Sequence, residues 1–155
     1  MAIAAWSITF VAEDWPGFDQ ILELDYRELY ESFGVPRELD WYHDEYPSIH
    51  VVAHAGPNVL GAGRLLGAPG ERARQLRQVV VTASLRGEGI GTALVEAMER
   101  RAACEGARQT WLNARDTAFE FYEKLGYEYD GEMFVSALTG IPHRRMRKEL
   151  GPPPA

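Results

Sequence analysis

Apolar and polar residues alternate along the first part of the chain in a pattern that predicts a strand followed by a helix. Residues 4–14, AAWSITFVAED, alternate in part and predict a first β-strand. Residues 16–34 carry apolar side chains at helical spacing, with Gly34 as the stop, and predict a helix. Residues 35–47, VPRELDWYHDEYP, are polar, aromatic and bounded by prolines, which indicates a loop or a short helix.

The middle of the chain predicts three strands and a second helix. Residues 49–55 and 59–66 flank the turn sequence GPN and predict a β-hairpin. The β-branched run at residues 76–82, LRQVVVT, predicts a buried central strand. A helix is predicted over residues 89–105, because its apolar residues share one face and Gly106 is a suitable stop.

The last third of the chain predicts three more strands and a short helix. Residues 108–115, RQTWLNAR, predict a strand, and Asp116 is expected to cap a short helix that runs through Leu125. Residues 127–132 and 143–150 predict the two last strands. The order of elements predicts an α/β (α+β) fold with a mixed, mostly antiparallel central sheet that is flanked by helices.

Length and composition indicate one globular domain. The chain has 155 residues, of which 46% are hydrophobic and 25% charged, and a domain of this size can bury one sizeable core. We expect residues 1–150 to form this domain. Residues 151–155, GPPPA, cannot hold a helix or an inner strand, and they predict a disordered tail.

The net charge of −7 disfavours nucleic acid and anionic membranes as general partners. Cys104 is the single cysteine, which excludes an intrachain disulfide. The first residues have neither a basic region nor a long apolar run, so we expect no signal peptide, no membrane span and a cytoplasmic location. No metal site is predicted, and a monomer and a homodimer are both compatible with the sequence.

Residues 86–92, RGEGIGT, place three glycines between the predicted central strand and the helix that follows it. Such a turn suits a phosphate, because free N–H groups and the helix dipole favour an anion there. A dinucleotide site would need a glycine at Thr92 and would use an acidic residue such as Asp116. A nucleoside triphosphate loop would need a lysine that is absent, and a third interpretation is that the glycines only permit close packing.

Two separated motifs decide among these interpretations. The segment VVVTASLRGEGIGTALV resembles the acyl-CoA-binding motif of the GNAT acyltransferase superfamily, Q/R-x-x-G-x-G/A, with Arg86, Gly89 and Gly91 in its named positions. LNARDTAFEFYEKLGY resembles the strand and helix that follow in that family. The segment GIPHRRM at residues 140–146 is similar to one found in the ElaA-type branch. The resemblance covers residues 76–127 most strongly.

The resemblance implies that the glycine turn wraps the pyrophosphate of acetyl-CoA and that the main chain of the preceding strand pairs with the pantetheine arm. The residues expected to bind this cosubstrate are Val79, Val80, Val81, Arg86, Gly87, Glu88, Gly89, Ile90, Gly91, Thr92 and Asn113. Asn113 is expected to be a buried amide, which hydrogen-bonds either the neighbouring backbone or, as the resemblance implies, the cosubstrate or an ordered water.

The resemblance also implies a function: transfer of an acetyl group from acetyl-CoA to a primary amine of a small molecule or peptide. The alternative is a catalytically silent domain that binds acyl-CoA. Tyr122 matches the tyrosine that in many family members protonates the departing thiolate, although its spacing also fits a packed core residue.

The general base is left open by the sequence. Many family members carry a glutamate on the strand before the turn, whereas this chain has Gln75 and Gln78 there. A water chain is one alternative, and the candidate side chains are Glu38, Asp40, His43, Asp44, Glu45, His50, His54 and His143. The acidic and aromatic segment 38–46, with Trp41 and Tyr42, suits an organic cation and predicts the acceptor pocket.

Overall fold

The structure is a computed structural model that describes residues 5–37 and 47–152. This part of the chain contains eight strands and three α-helices. In chain order they are β1 (Ser7–Val11), α1 (Phe18–Leu29), β2 (Ser48–Ala55), β3 (Asn58–Leu66), β4 (Ala73–Val81), α2 (Ile90–Cys104), β5 (Gln109–Arg115), α3 (Phe119–Lys124), β6 (Glu128–Tyr129), β7 (Phe134–Val135) and β8 (Pro142–Glu149).

All eight strands form one sheet, in the order β1-β2-β3-β4-β5-β8-β6, with β7 also paired to β8. Every pairing is antiparallel except the one between β4 and β5. The predicted fold class, a mixed and mostly antiparallel sheet with flanking helices, is therefore confirmed.

The single parallel pairing opens the sheet in its centre. β4 pairs with β5 only from Ala73–Gln109 to Gln75–Trp111. Beyond Gln75, β4 continues to Val81 along β3, while β5 continues to Arg115 along β8. The two strands thus form a fork, which leaves the edge of β4 after Gln75 without β5 as a partner.

Two apolar cores hold the helices on opposite faces of the sheet. α2 packs on one face with Leu94, Val95 and Met98, each fully buried. α1 packs on the other face through Ile21 and Leu24. Burial of each such side chain stabilises the fold by about 1.5–3 kcal/mol.

The local structure differs from the sequence prediction at the helix after β5. Asp116 begins a 3-10 turn that ends at Ala118, and α3 begins only at Phe119 without a side-chain cap. The prediction that Asp116 caps this helix is therefore wrong. The two-residue strand β7 was also not predicted, because a pair of exposed residues carries no readable alternation.

Several predictions fall on residues that the structure does not describe. The acidic and aromatic segment 38–46, which was predicted to form the acceptor pocket, lies outside the described residues. Of the predicted tail, Gly151 and Pro152 are exposed and without regular structure, and residues 153–155 lie outside the described part. Across the described ranges, no helix is long and apolar enough to span a bilayer.

Candidate active site

Two cavities lie along the fork between β4 and β5. The glycine cavity, about 970 Å³, is lined by the turn after β4, by the end of α1 and by α3. The β7 cavity, about 600 Å³, is walled by the strand β7 and the residues that follow it. Five residues line both cavities, and they mark the place where the cavities meet: Leu29, Val79, Arg115, Ala118 and Tyr122.

The glycines of the turn serve two different purposes. Gly87 and Gly89 have φ angles of 86° and 85°, a conformation that favours glycine, and a Cβ at either would meet no atom within 4 Å. At Gly91 a Cβ would lie 3.3 Å from Cζ of Phe121. Gly87 and Gly89 therefore shape a backbone that faces open space, whereas Gly91 permits close packing of α2 against α3.

The start of α2 presents backbone donors to the glycine cavity. The N–H of Ala93 donates to the carbonyl oxygen of Gly89 at 3.1 Å, which is the first bond of the helix. The N–H groups before it have no acceptor one turn back in the helix, and the helix dipole adds a partial positive charge there. Ile90, Gly91 and Thr92 contribute these groups to the cavity lining.

Arg86 stands at the rim of the glycine cavity and already has an acidic partner. Its Nη2 lies 2.9 Å from Oε2 of Glu28 on α1, and its side chain is 61% exposed. The ion pair joins α1 to the turn across the cavity. Because the guanidinium is so exposed, the ion pair itself contributes about 0–1 kcal/mol to stability.

Nine of the eleven residues predicted to bind the cosubstrate line the glycine cavity: Val79, Val80, Val81, Arg86, Gly87, Gly89, Ile90, Gly91 and Thr92. The side chains of Val80 and Ile90 belong to the two cores, so these residues offer only their main chain to the cavity. Glu88 is exposed and lies outside the lining residues.

Asn113 lies elsewhere than expected. Its side chain is exposed and lines the β7 cavity, whereas its neighbours Leu112 and Ala114 are buried. The prediction of a buried amide is therefore wrong, because this strand alternates and Asn113 occupies its solvent side. Its contact with the cosubstrate remains a prediction.

Tyr122 lies at the meeting point of the two cavities. Its side chain is 7% exposed and packs edge-on against Phe121 and Tyr127, with ring centroids 4.9 and 5.6 Å away. Burial raises the pKa of the Tyr122 hydroxyl, so the phenol is protonated at neutral pH. The two interpretations of this residue, core side chain and proton donor, are compatible with one position.

Of the three predicted histidine candidates that the structure describes, only His143 lines either of these two cavities. Its Nδ1 lies 2.8 Å from the carbonyl oxygen of Ile141, and its ring stacks on Phe134 at 5.5 Å. His50 is buried beside Phe18, and burial lowers its pKa to about 4. His54 bonds Thr9 and the carbonyl of Gly56 on the far side of the sheet.

The fork contains a strained residue that the sequence did not reveal. Gln78 has a φ of 53°, the one positive value at a non-glycine among the described residues, and it lies where the register between β3 and β4 shifts. Its Nε2 donates to the Tyr30 hydroxyl at 3.2 Å, and its Oε1 accepts from Arg64 at 3.4 Å. A β-bulge is not visible in the local spacing of residues, so the sequence did not predict the contact between Gln78 and Tyr30.

Comparison with known protein families identifies the family to which this chain belongs. The family model described as "Acetyltransferase (GNAT) family" matches residues 15–127, which is well over half of the chain. A curated relative from Bacillus subtilis, the uncharacterized N-acetyltransferase YjcF, is 37% identical over 117 residues, or 75% of this chain and 81% of the relative. This chain belongs to the GNAT acetyltransferase family.

Solved structures show the same fold. A putative N-acetyltransferase from Lactobacillus plantarum superposes with a TM-score of 0.80 at 22% identity, over 95% of this chain and 99% of that one. An aminoglycoside 6'-N-acetyltransferase complexed with coenzyme A gives 0.74 at 22% identity, over 96% and 99% of the two chains. ElaA from Escherichia coli gives 0.75 at 19% identity, over 94% and 99%, a likeness in fold alone.

Proposed function

We propose that this protein transfers an acetyl group from acetyl-CoA directly to a primary amine of a small molecule or peptide. The observation that carries the proposal is the pair of cavities that meet at Tyr122. One has the features of a phosphate-binding turn, and the other is lined by the same tyrosine. A direct transfer needs two reactants that reach one point from two sides.

The glycine cavity fits coenzyme A in its chemistry. The turn offers open space at Gly87 and Gly89, backbone N–H groups at the start of α2, and the exposed guanidinium of Arg86. The free edge of β4 offers main-chain groups to an amide-bearing arm as a neighbouring strand would. The family membership and the neighbour that was solved with coenzyme A support the same assignment.

The thioester supplies an activated acyl group, so the chain has to position the amine, remove its proton and protonate the leaving sulfur. The nitrogen forms a bond to the acyl carbon while the bond from carbon to sulfur breaks. Tyr122 donates a proton or a hydrogen bond to that sulfur from the junction of the cavities. Because burial keeps its phenol protonated, it needs no further activation to act as a donor.

His143 is the described candidate that is best placed to accept the amine proton. A carbonyl oxygen only accepts hydrogen bonds, so the contact with Ile141 places the ring proton on Nδ1 and leaves Nε2 with its lone pair in the neutral ring. Stacking on Phe134 fixes the ring plane at the wall of the β7 cavity. The role of the candidates in segment 38–46 stays a prediction.

Two measurements test the proposal. Acetyl-CoA should raise the melting temperature far more than NADH or ATP, since a ligand at 100 times its Kd stabilises the native state by about 2.7 kcal/mol. Mass spectrometry should then find acetyl transfer within a panel of amines, amino acids, aminoglycosides and peptides. Equal shifts with the three ligands would refute the cosubstrate, and a selective shift without any transfer would favour the silent acyl-CoA-binding domain.

A further inference from the structure

Arg115 is the charged residue that lines both cavities. It ends β5, where it pairs with His143 of β8. Its Nη2 donates to the carbonyl oxygen of Leu29 at 2.5 Å, and its guanidinium carbon lies 5.3 Å from the ring centroid of Phe33. The side chain therefore reaches from the sheet to the end of α1 and crosses the junction of the two cavities.

Within the described residues no carboxylate pairs with Arg115, although its side chain is partly buried. The buried Arg74 has Glu105 at 2.8 Å, and even the exposed Arg86 has Glu28 at 2.9 Å. Burial lowers the pKa of the Arg115 guanidinium, because desolvation penalises its charge. A partly buried cation of this kind is stabilised by an anion that arrives with a ligand.

The surroundings of Arg115 in the β7 cavity favour an anion as well. The charged residues among the described lining are Arg77 and Arg115, both cationic. The remaining polar groups of that wall are uncharged amides and hydroxyls or the ring of His143. An acceptor that entered as a purely cationic amine would meet the like charge of Arg115.

The coenzyme does not account for an anion at this place. Its phosphates are assigned to the turn at Gly87–Gly91, and no residue of this turn lines the β7 cavity. The part of the coenzyme that reaches the junction is the thioester, which is uncharged. The anion that Arg115 would meet therefore comes from the β7 cavity, which is the acceptor side.

We propose that Arg115 binds a carboxylate of the acceptor, so that the acceptor is an amino acid or a peptide with a free carboxylate near its amine. The inference rests on the proposed function, because it takes the β7 cavity as the acceptor site. The planar guanidinium matches a carboxylate through two parallel N–H donors, and the contact with Leu29 fixes its orientation. The apolar wall of Phe134, Val135 and Leu138 suits an apolar side chain on the same acceptor.

The test compares amines that differ only in the carboxylate. Phenylalanine and phenylalaninamide form one pair, and the dipeptide alanyl-phenylalanine and its amide form the second. Comparison of the two pairs shows whether the acceptor is a free amino acid or a peptide. Acetyl transfer gives kcat and KM for each amine. Calorimetry of each amine with the complex of protein and coenzyme A gives its Kd independently of turnover.

Three variants separate binding from a structural role. Arg115→Gln removes the charge. Arg115→Lys keeps the charge but loses the planar guanidinium with its two parallel N–H donors. Arg144→Gln is the matched control, because Arg144 also donates to a backbone carbonyl, that of Gly131 at 2.8 Å, and also lies over a ring, that of Tyr129 at 4.2 Å, but lines neither cavity.

We expect the wild type to bind one carboxylate-bearing amine at least tenfold more tightly than its amide. Arg115→Gln should raise the KM for that amine about 30-fold or more and remove the preference, as expected for loss of one partner of a desolvated charge pair. Arg115→Lys should restore part of the preference, and Arg144→Gln should leave the ratio unchanged. The thermal shift with coenzyme A should persist in all three variants.

Other outcomes overturn the inference. Equal Kd values for the acids and the amides in the wild type would exclude a carboxylate site. A preference that survives Arg115→Gln would place the site elsewhere, and loss of the coenzyme A shift in that variant would assign the anion to the coenzyme. A fall in kcat with an unchanged KM would make Arg115 part of the reaction instead of acceptor binding. Failure of the proposed function is distinguishable, since there the wild type itself shows either no selective shift with acetyl-CoA or no acetyl transfer to any amine.

Discussion

Removal of one hydroxyl, in Tyr122→Phe, separates the catalytic interpretation of this residue from the structural one. The ring is 7% exposed and packs against Phe121 and Tyr127, so phenylalanine keeps almost all of the buried area. Within the described residues, the Tyr122 hydroxyl has no hydrogen-bond partner. The substitution should therefore change the free energy of unfolding by less than about 1 kcal/mol.

The expected effect on the reaction is much larger. Loss of a general acid usually costs about 10²–10⁴ in rate, and we expect kcat to fall by about 10²-fold or more. A factor of 100 corresponds to about 2.7 kcal/mol in the barrier, which exceeds any effect that the substitution has on stability. The assay is steady-state thioester cleavage with the best amine from the panel, together with chemical unfolding and the coenzyme A thermal shift.

Tyr127→Phe is the matched control. Tyr127 belongs to the same ring cluster, but its hydroxyl bonds the hydroxyl of Thr110 at 2.8 Å, and the residue lines neither cavity. We expect this variant to lose about 1 kcal/mol of stability and to keep its kcat. If Tyr122→Phe lowers the melting temperature and leaves kcat unchanged, the hydroxyl is structural and the proposed acid is wrong.

Three further predictions follow from the site and the core. Arg86→Gln should weaken coenzyme A binding about tenfold, whereas Glu28→Gln, which releases Arg86 from its ion pair, should not weaken it; titration calorimetry measures both. His143→Gln should lower kcat by about 10²-fold, and an unchanged kcat would exclude His143 as the base. His50 is neutral in the folded protein down to pH about 4, whereas an unfolded histidine binds a proton near pH 6.5, so acidification across this window should cost about 3 kcal/mol of unfolding free energy. Asp25 has a raised pKa and opposes this trend, so chemical unfolding of the wild type is compared with His50→Gln, which should lose less stability than the wild type on the same acidification.

The sequence alone determined the order of the elements, apart from the short strand β7, and its two motifs indicated the family. Local spacing predicts the elements because alternation, helical periodicity and the glycine stops depend only on near neighbours. Gly34, Gly106 and Gly126 do end their helical segments with positive φ angles. The turn at residues 86–92 and the position of Tyr122 were predictable for the same reason, since each belongs to a contiguous motif.

Tertiary structure decided the fork between β4 and β5 and the side-chain contacts of Arg115 and Gln78 within it. The parallel pairing of β4 with β5 joins residues 36 positions apart, and beyond Gln75 the two strands diverge where the two cavities lie. Arg115 meets Leu29 across 86 positions, and Gln78 meets Tyr30 across 48. Nothing in the spacing around Arg115 distinguishes it from a solvated arginine at a strand end. Its place between the two cavities follows from how distant segments pack. Its burial and the absence of a carboxylate partner among the described residues are properties of the folded chain and not of its neighbours in sequence.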